Sequence, residues 1–319
     1  MKKIILLTGG SGMVGSNIIN HNFSQNYKIL SPTSSDLNLL NYKDLEDYIK
    51  FNKPELVIHA AGIVGGIKAN INYPVKFLVD NMQMGLNILM ASKTQKVKKF
   101  INLSSSCMYP KNARNPLLED SILKGELEPT NEGYALSKIT STKLCEYISR
   151  EDSSFLYKTV IPCNLYGKYD DFNYESSHMI PGVIRKIYDA KNKNLEFVNI
   201  WGDGLARREF MYAADIADFI YYAIENFVKM PQNINVGLGL DYSIIDYYKI
   251  IADVIGYKGK FNHDMSKPTG MKKKLIDIKR LNEFGWSHRT SLELGIKKTY
   301  DYFLNELKKW ANILYLQIL

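Results

Sequence analysis

The sequence is poor in cysteine. Cys107, Cys145 and Cys163 are the three in 319 residues, and they have no paired spacing. That excludes a disulfide framework and a cysteine-built zinc site, and it fits a reducing, cytoplasmic setting. Long apolar runs are lacking too, so no segment has the length of a membrane span. The opening Met1-Lys2-Lys3 imitates the basic end of a secretion signal. The apolar residues 4–7 behind it give way at once to glycines and read as a buried strand. Also missing is a basic stripe interleaved with aromatics. The net charge is +8, yet the lysines are scattered and the longest basic run is Lys272-Lys273-Lys274. A surface that tracks nucleic acid is excluded on this ground, and small anionic ligands remain as partners. No internal repeat, low-complexity linker or metal-spaced cluster is present.

What is there is an ordinary globular composition, 45% hydrophobic and 23% charged, long enough for one large domain or two moderate ones. Residues 4–7 are followed by Thr8-Gly9-Gly10-Ser11-Gly12-Met13-Val14-Gly15 and a helical stretch from Ser16. Strand, glycine turn and helix form the context in which a glycine pattern binds a dinucleotide. Gly9 allows the tight turn, Gly12 lets the backbone approach a pyrophosphate, and Gly15 lets helix and strand close up. Gly10, Ser11, Met13 and Val14 complete the cradle at the helix start. The spacing is G-x-x-G-x-x-G. After the next strand, 27–30, no acid stands at the tip to take a ribose 2′-hydroxyl. Asp36 lies beyond it, while Thr33, Ser34 and Ser35 offer hydroxyls to a 2′-phosphate, so NADP(H) is expected over NAD.

Further strands are expected at 55–59 and 99–103. The first closes with His59, read as a structural cap, and with Ala60-Ala61-Gly62, small enough for a cofactor to lie against. A helix over 80–92 carries Met82, Leu86, Leu89 and Met90 on a core face. The strand at 99–103 ends in Ser104-Ser105-Ser106-Cys107-Met108-Tyr109-Pro110, and ligands of open parallel sheets bind beyond such carboxyl ends. Residues 131–138, Asn-Glu-Gly-Tyr-Ala-Leu-Ser-Lys, have a helical composition that sets Tyr134 and Lys138 one turn apart on one face. The ammonium favours the phenolate, so the tyrosine pKa is expected to fall toward the working pH, which suits a general acid or base.

A strand over 159–161 leads into Pro162-Cys163-Asn164-Leu165-Tyr166-Gly167, and residues 168–178 then leave the sheet. Ser177-His178-Met179-Ile180-Pro181 opens a helix carrying Arg185 and Lys186. A strand over 196–200, the turn Trp201-Gly202-Asp203-Gly204, Arg207-Arg208-Glu209-Phe210 and a helix over 215–227 follow. The expected fold is α/β, a Rossmann-type doubly wound parallel sheet with a smaller discontinuous α/β substrate domain. The first comprises residues 1–166 plus about 205–232, the second about 167–204 and 233–307, and 308–319 is a tail without an assigned role. The substrate cleft is expected between the two.

In combination, Gly9-x-x-Gly12-x-x-Gly15, Ser105, Tyr134 and Lys138 resemble the extended short-chain dehydrogenase/reductases. More narrowly, residues 105–110, 128–132, 164–167, 177–181 and 208–210 resemble the GDP-L-fucose synthase family, over nearly the whole chain from about Ile4 to Tyr302. The resemblance implies NADPH-dependent reduction of the C4 ketone of a GDP-4-keto-6-deoxy sugar, with epimerisation at C3 and C5. Tyr134 would protonate the C4 oxygen, Lys138 would lower its pKa and hold the nicotinamide ribose, and Ser105 would bond the carbonyl. Cys107 and His178 would be the base and acid of epimerisation, because the C4 ketone acidifies its neighbouring C–H bonds. Ala60, Ala61, Leu103, Ser104, Pro162, Asn164, Leu165 and His178 would line the cofactor. Lys186, Trp201, Arg208 and Lys274 would hold the GDP-sugar, Arg208 through bidentate bonds to the diphosphate. A homodimer packed through the Tyr134 helix is implied as well. The chain departs from the family at Gly133, where Pro is usual, at Thr269, where Asp is usual, and at Ala206 and Arg207. These departures bear on which sugar is bound, and the alternative is a C4 reductase without epimerase activity, acting on another GDP-4-keto sugar such as a heptose.

Overall fold

A computed structural model describes residues 2–174, 176–266 and 271–318. In chain order the strands are β1 (Ile4–Thr8), β2 (Lys28–Leu30), β3 (Leu56–His59), β4 (Lys99–Leu103), β5 (Leu156–Pro162), β6 (Asn164–Tyr166), β7 (Phe197–Trp201), β8 (Arg207–Arg208), β9 (Phe210–Tyr212), β10 (Asn233–Val236), β11 (Tyr242–Ser243), β12 (Lys260–Asp264) and β13 (Lys273–Lys274). The helices are α1 (Met13–Ile19), α2 (Tyr42–Asn52), α3 (Ile67–Asn72), α4 (Pro74–Thr94), α5 (Glu132–Glu151), α6 (Met179–Asn192), α7 (Ala213–Glu225), α8 (Ile244–Ile255), α9 (Lys279–Phe284) and α10 (Leu292–Ile318).

Side chains alternate across a strand, and here both alternations are apolar. Ile5, Leu7, Ile58, Ile101 and Leu103 face one core with Ile18, Ile216, Phe219 and Ile220 from α1 and α7. Leu6, Val57, Phe100 and Tyr157 face the other with Leu45, Ile49, Ile88, Leu89 and Ile148 from α2, α4 and α5. A sheet buried on both sides must be fed by crossovers. Six parallel strands accordingly run in the order β10-β5-β4-β3-β1-β2, a doubly wound Rossmann-type sheet. The order reverses at β1, which opens the crevice for a ligand at the carboxyl ends. Leu6 is fully buried, so Leu6→Ala costs about 2–5 kcal/mol.

A second core joins Ile180, Ile184 and Ile187 of α6 to Ile200, Tyr247, Ile251, Ile296 and Phe303 of β7, α8 and α10. Its helices are bounded by local chemistry. Ser243 and Asp246 form a reciprocal capping box at the start of α8, and Gly256 ends it at φ 75°. Around this core β7 pairs with β12, and β8 is flanked by β11 and β13.

Two boundaries differ from the sequence reading. β10 is an edge strand of the large sheet, although residues 233–307 were assigned to the smaller unit. Its Asn-Ile-Asn-Val pattern looks polar, but Asn235 is fully buried and satisfied, donating to the Leu117 and Asp277 carbonyls and accepting from Tyr109. β8, inside the 205–232 stretch assigned to the large unit, instead pairs only within the small sheet. Residues 308–318 continue α10, and Thr269 lies outside the described residues.

Candidate active site

The carboxyl ends of β1, β3, β4 and β5 open into a cleft of 1410 Å³ that extends to the second core. Its floor is the glycine turn. Gly9 sits at φ 77°, and a Cβ there would fall 2.5 Å from the Ala61 nitrogen. A Cβ on Gly15 would fall 2.2 Å from the Gly9 oxygen, so only glycine lets α1 approach the turn so closely. No side chain caps α1 at Gly12. The open backbone and small residues along Gly9–Gly15, Ala60 and Ala61 fit a dinucleotide lying across them. At the adenosine end Asp36 turns back on its own loop. Its carboxylate accepts from the Thr33 amide at 3.0 Å and the Thr33 hydroxyl at 2.7 Å, as the absence of an acid at the strand tip anticipates.

β4 ends at Leu103, Ser104 and Ser105 follow it, and a short 3-10 turn then presents Cys107. Ser105 accepts a hydrogen bond from the Cys107 amide at 3.3 Å. Across from it α5 carries Tyr134 and Lys138, and the Lys138 ammonium lies 5.7 Å from the Tyr134 ring centre. That ammonium donates to the Leu103 carbonyl at 3.0 Å, which ties α5 to the end of β4. Burial pushes Lys138 down to about 8 and raises the Tyr134 phenol well above its ordinary value. The fall in the phenol pKa expected from the Tyr134–Lys138 spacing is therefore corrected, because desolvation by burial raises it. Tyr134 is held as the neutral acid. Burial also raises the Cys107 thiol, opposed by the ammonium groups of Lys274 and Lys138. His59 is buried, bonded to the Thr8 hydroxyl at 2.8 Å and pushed down to about 3 by burial, which makes it a neutral structural residue.

His178 is the residue before α6, and its Nδ1 lies 3.6 Å from Asp170. The Asp170 carboxylate raises its pKa against the opposing effect of burial. Pro162, Asn164 and Leu165 line the same wall. Lys186, Trp201, Arg208 and Lys274 line the cleft as well. Lys186 donates to the Asn199 carbonyl and to Tyr248, while the half-buried Lys274 is pushed down by desolvation. Every candidate residue of the sequence reading thus lines one continuous cleft.

Two of the departures, Gly133 and Arg207, have a local setting. A Cβ on Gly133 would fall 3.0 Å from the Pro74 oxygen, where α5 and α4 meet. Arg207 is turned to Asp241 at 2.7 Å, leaving Arg208 toward the cleft. Sequence reasoning missed Tyr248, Asp170 and the role of Glu209. Glu209 is 1% exposed, and its carboxylate accepts from the Leu238, Gly239 and Ile276 amides, binding β9 to the segments beside Arg208 and Lys274. The only signal for Glu209 was its place within Arg-Arg-Glu-Phe. Tyr248 is one of 22 tyrosines and carried none.

A dinucleotide turn on a doubly wound sheet, with a serine, a tyrosine and a lysine at the strand ends, defines an oxidoreductase of the extended short-chain dehydrogenase/reductase class. Residues 5–237 match the NAD dependent epimerase/dehydratase family, and the chain belongs to it. It is similar to the GDP-L-colitose synthase of Yersinia pseudotuberculosis, 64% identical over 95% of this chain and 98% of that one. The GDP-L-fucose synthase of Azorhizobium caulinodans is 49% identical, with 95% and 96% covered. Among solved structures, a GDP-mannoheptose C4 reductase from Campylobacter jejuni with NADP bound aligns with a TM-score of 0.87. It is 27% identical, with 95% and 98% covered. The cofactor of this chain is NADP(H). No helix among the described residues is long and apolar enough to cross a membrane.

Proposed function

We propose that the protein reduces the C4 ketone of a GDP-4-keto-6-deoxy sugar, after inverting the carbon beside that ketone. The observation that carries this reading is the convergence of Ser105, Cys107, Tyr134 and His178 above one glycine turn in a single cleft. NADPH supplies the hydride for C4. Tyr134, neutral through burial, gives its proton to the C4 oxygen, and Ser105 donates to that oxygen as charge builds on it. Lys138 anchors α5 to β4 and orients the nicotinamide ribose. Cys107 removes the proton next to the ketone, its thiolate favoured by the Lys274 and Lys138 ammonium groups against the effect of burial, and His178 returns one to the opposite face. Arg208 and Lys274 balance the diphosphate, and Lys186, Trp201 and Tyr248 form the far end of the nucleotide pocket.

The 64% identity to a GDP-L-colitose synthase favours a colitose-type substrate. Colitose is fucose without the 3-hydroxyl, so only C5 remains to be inverted. A fucose-type substrate, inverted at C3 and C5, is the second reading, supported by 49% identity. Val75 and Val79 on α4 and Leu136 and Tyr147 on α5 are exposed apolar residues, which supports a homodimer across these helices. The test is turnover with a panel of GDP-4-keto sugars and NADPH in D2O, with the product read by NMR. NADPH consumption with deuterium at C5 is expected. Reduction without deuterium would leave a simple C4 reductase, and no turnover with any member would overturn the reading.

A further inference from the structure

His178 begins α6, where the unpaired amides of the helix make a proton on the imidazole unfavourable. Its side chain forms no cap. A residue meant to deliver a proton is badly placed there unless something opposes the helix. The opposing group is Asp170, whose side chain is 4% exposed. One carboxylate oxygen accepts from the Asp171 amide at 3.0 Å and lies 3.6 Å from His178 Nδ1. The other is buried with no hydrogen-bond partner among the described residues. Leaving a buried carboxylate oxygen unmatched is costly, and the backbone beside it is unusual too. Tyr169, immediately before Asp170, is held at φ 69°, a conformation that tyrosine rarely adopts. Such outliers cluster at functional sites.

We propose that Asp170 is the positioning residue for His178, holding the imidazole at Nδ1 so that a proton on Nε2 faces the sugar. The inference rests on the epimerase part of the proposed function. In the step it serves, a C–H bond beside the C4 ketone breaks, its proton passes to the Cys107 thiolate, and its electron pair moves into the enolate. A new C–H bond then forms on the opposite face with the Nε2 proton, leaving thiol and neutral imidazole, which solvent resets. Asp171 is the second charge acting on His178 and is also acidic. Across the cleft stand Cys107, Tyr134 and Lys138, and Lys186 lies further along α6.

The test uses the full chain with NADP⁺ and the near-isosteric Asp170→Asn, together with Asp170→Glu. The five histidines make a nitrogen NMR titration tractable, with His178→Gln identifying the resonance. In the wild type His178 is expected to titrate above the ordinary histidine value with its proton on Nδ1 in the low-charge limit. Asp170→Asn is expected to move that midpoint down, and Asp170→Glu to restore part of the shift. Deuterium exchange beside the ketone should fall at least about tenfold near pH 8 in Asp170→Asn, within the 10²–10⁴-fold that acid–base catalysis supplies. A wild-type His178 that titrates below the ordinary value, or an unchanged midpoint in Asp170→Asn, would overturn the pairing whether or not the variants turn over. Absence of exchange in the wild type would instead sink the epimerase reading itself.

Discussion

Replacing Lys138 by methionine removes a charge that the fold holds at a cost. Lys138 is 7% exposed, and burial pushes its pKa from 10.5 to about 8. At about 1.36 kcal/mol per unit, keeping the ammonium protonated in the folded state costs about 3 kcal/mol at neutral pH. Methionine keeps the apolar stem but abandons the bond to the Leu103 carbonyl, a loss of about 1–3 kcal/mol. The two effects nearly cancel at pH 7, so Lys138→Met is expected to be as stable as the wild type there, or slightly more so. Their pH dependences do not cancel. Between pH 8 and 10.5 the unfolded chain holds the Lys138 proton and the folded chain does not, so wild-type stability rises with pH over that window. From about pH 7.5 to 9.5 the wild type should gain about 2 kcal/mol on the variant. Urea denaturation followed by tryptophan fluorescence at both pH values reads the difference. A gap that stays constant, or moves in favour of the variant, would refute a desolvated lysine. Ketone reduction by Lys138→Met should fall at least about a hundredfold at either pH, since it removes a residue of the acid–base set.

Gly15→Ala puts a Cβ 2.2 Å from the Gly9 oxygen, so the turn must open. NADPH binding measured by fluorescence should weaken at least about tenfold, roughly 1.4 kcal/mol. Glu209→Gln leaves one of three amides facing an NH2 group, which should lower stability by about 1–3 kcal/mol in denaturation experiments. The same change should raise KM for the GDP-sugar more than it lowers kcat, because it loosens Arg208 and Lys274 rather than the groups at C4.

The parts legible in the sequence were those written contiguously. The glycine turn and the one-turn spacing of Tyr134 and Lys138 need a few residues each, and the apolar runs of β1, β3 and β4 announce a sheet buried on both faces. What depended on burial was not legible. A four-residue spacing places an ammonium beside a phenol but says nothing about the solvent removed from both, and that solvent decides the direction of the Tyr134 shift. The burial of Asn235 was not legible because its partners, the Leu117 and Asp277 carbonyls, lie far away along the chain. Asp170 and His178 are joined by irregular backbone with no periodicity to pair them, and the left-handed Tyr169 that sets their approach has no side-chain signature.

Proton delivery to the C4 oxygen by Tyr134 is most directly tested in one sample. Wild type and Tyr134→Phe are mixed with a GDP-4-keto-6-deoxy sugar and NADPH in D2O, and NADPH loss and deuterium at C5 are followed together. Tyr134→Phe is expected to lose about 10²–10⁴-fold in reduction while exchange at C5 continues. Reduction at the wild-type rate in the folded variant would contradict the assignment.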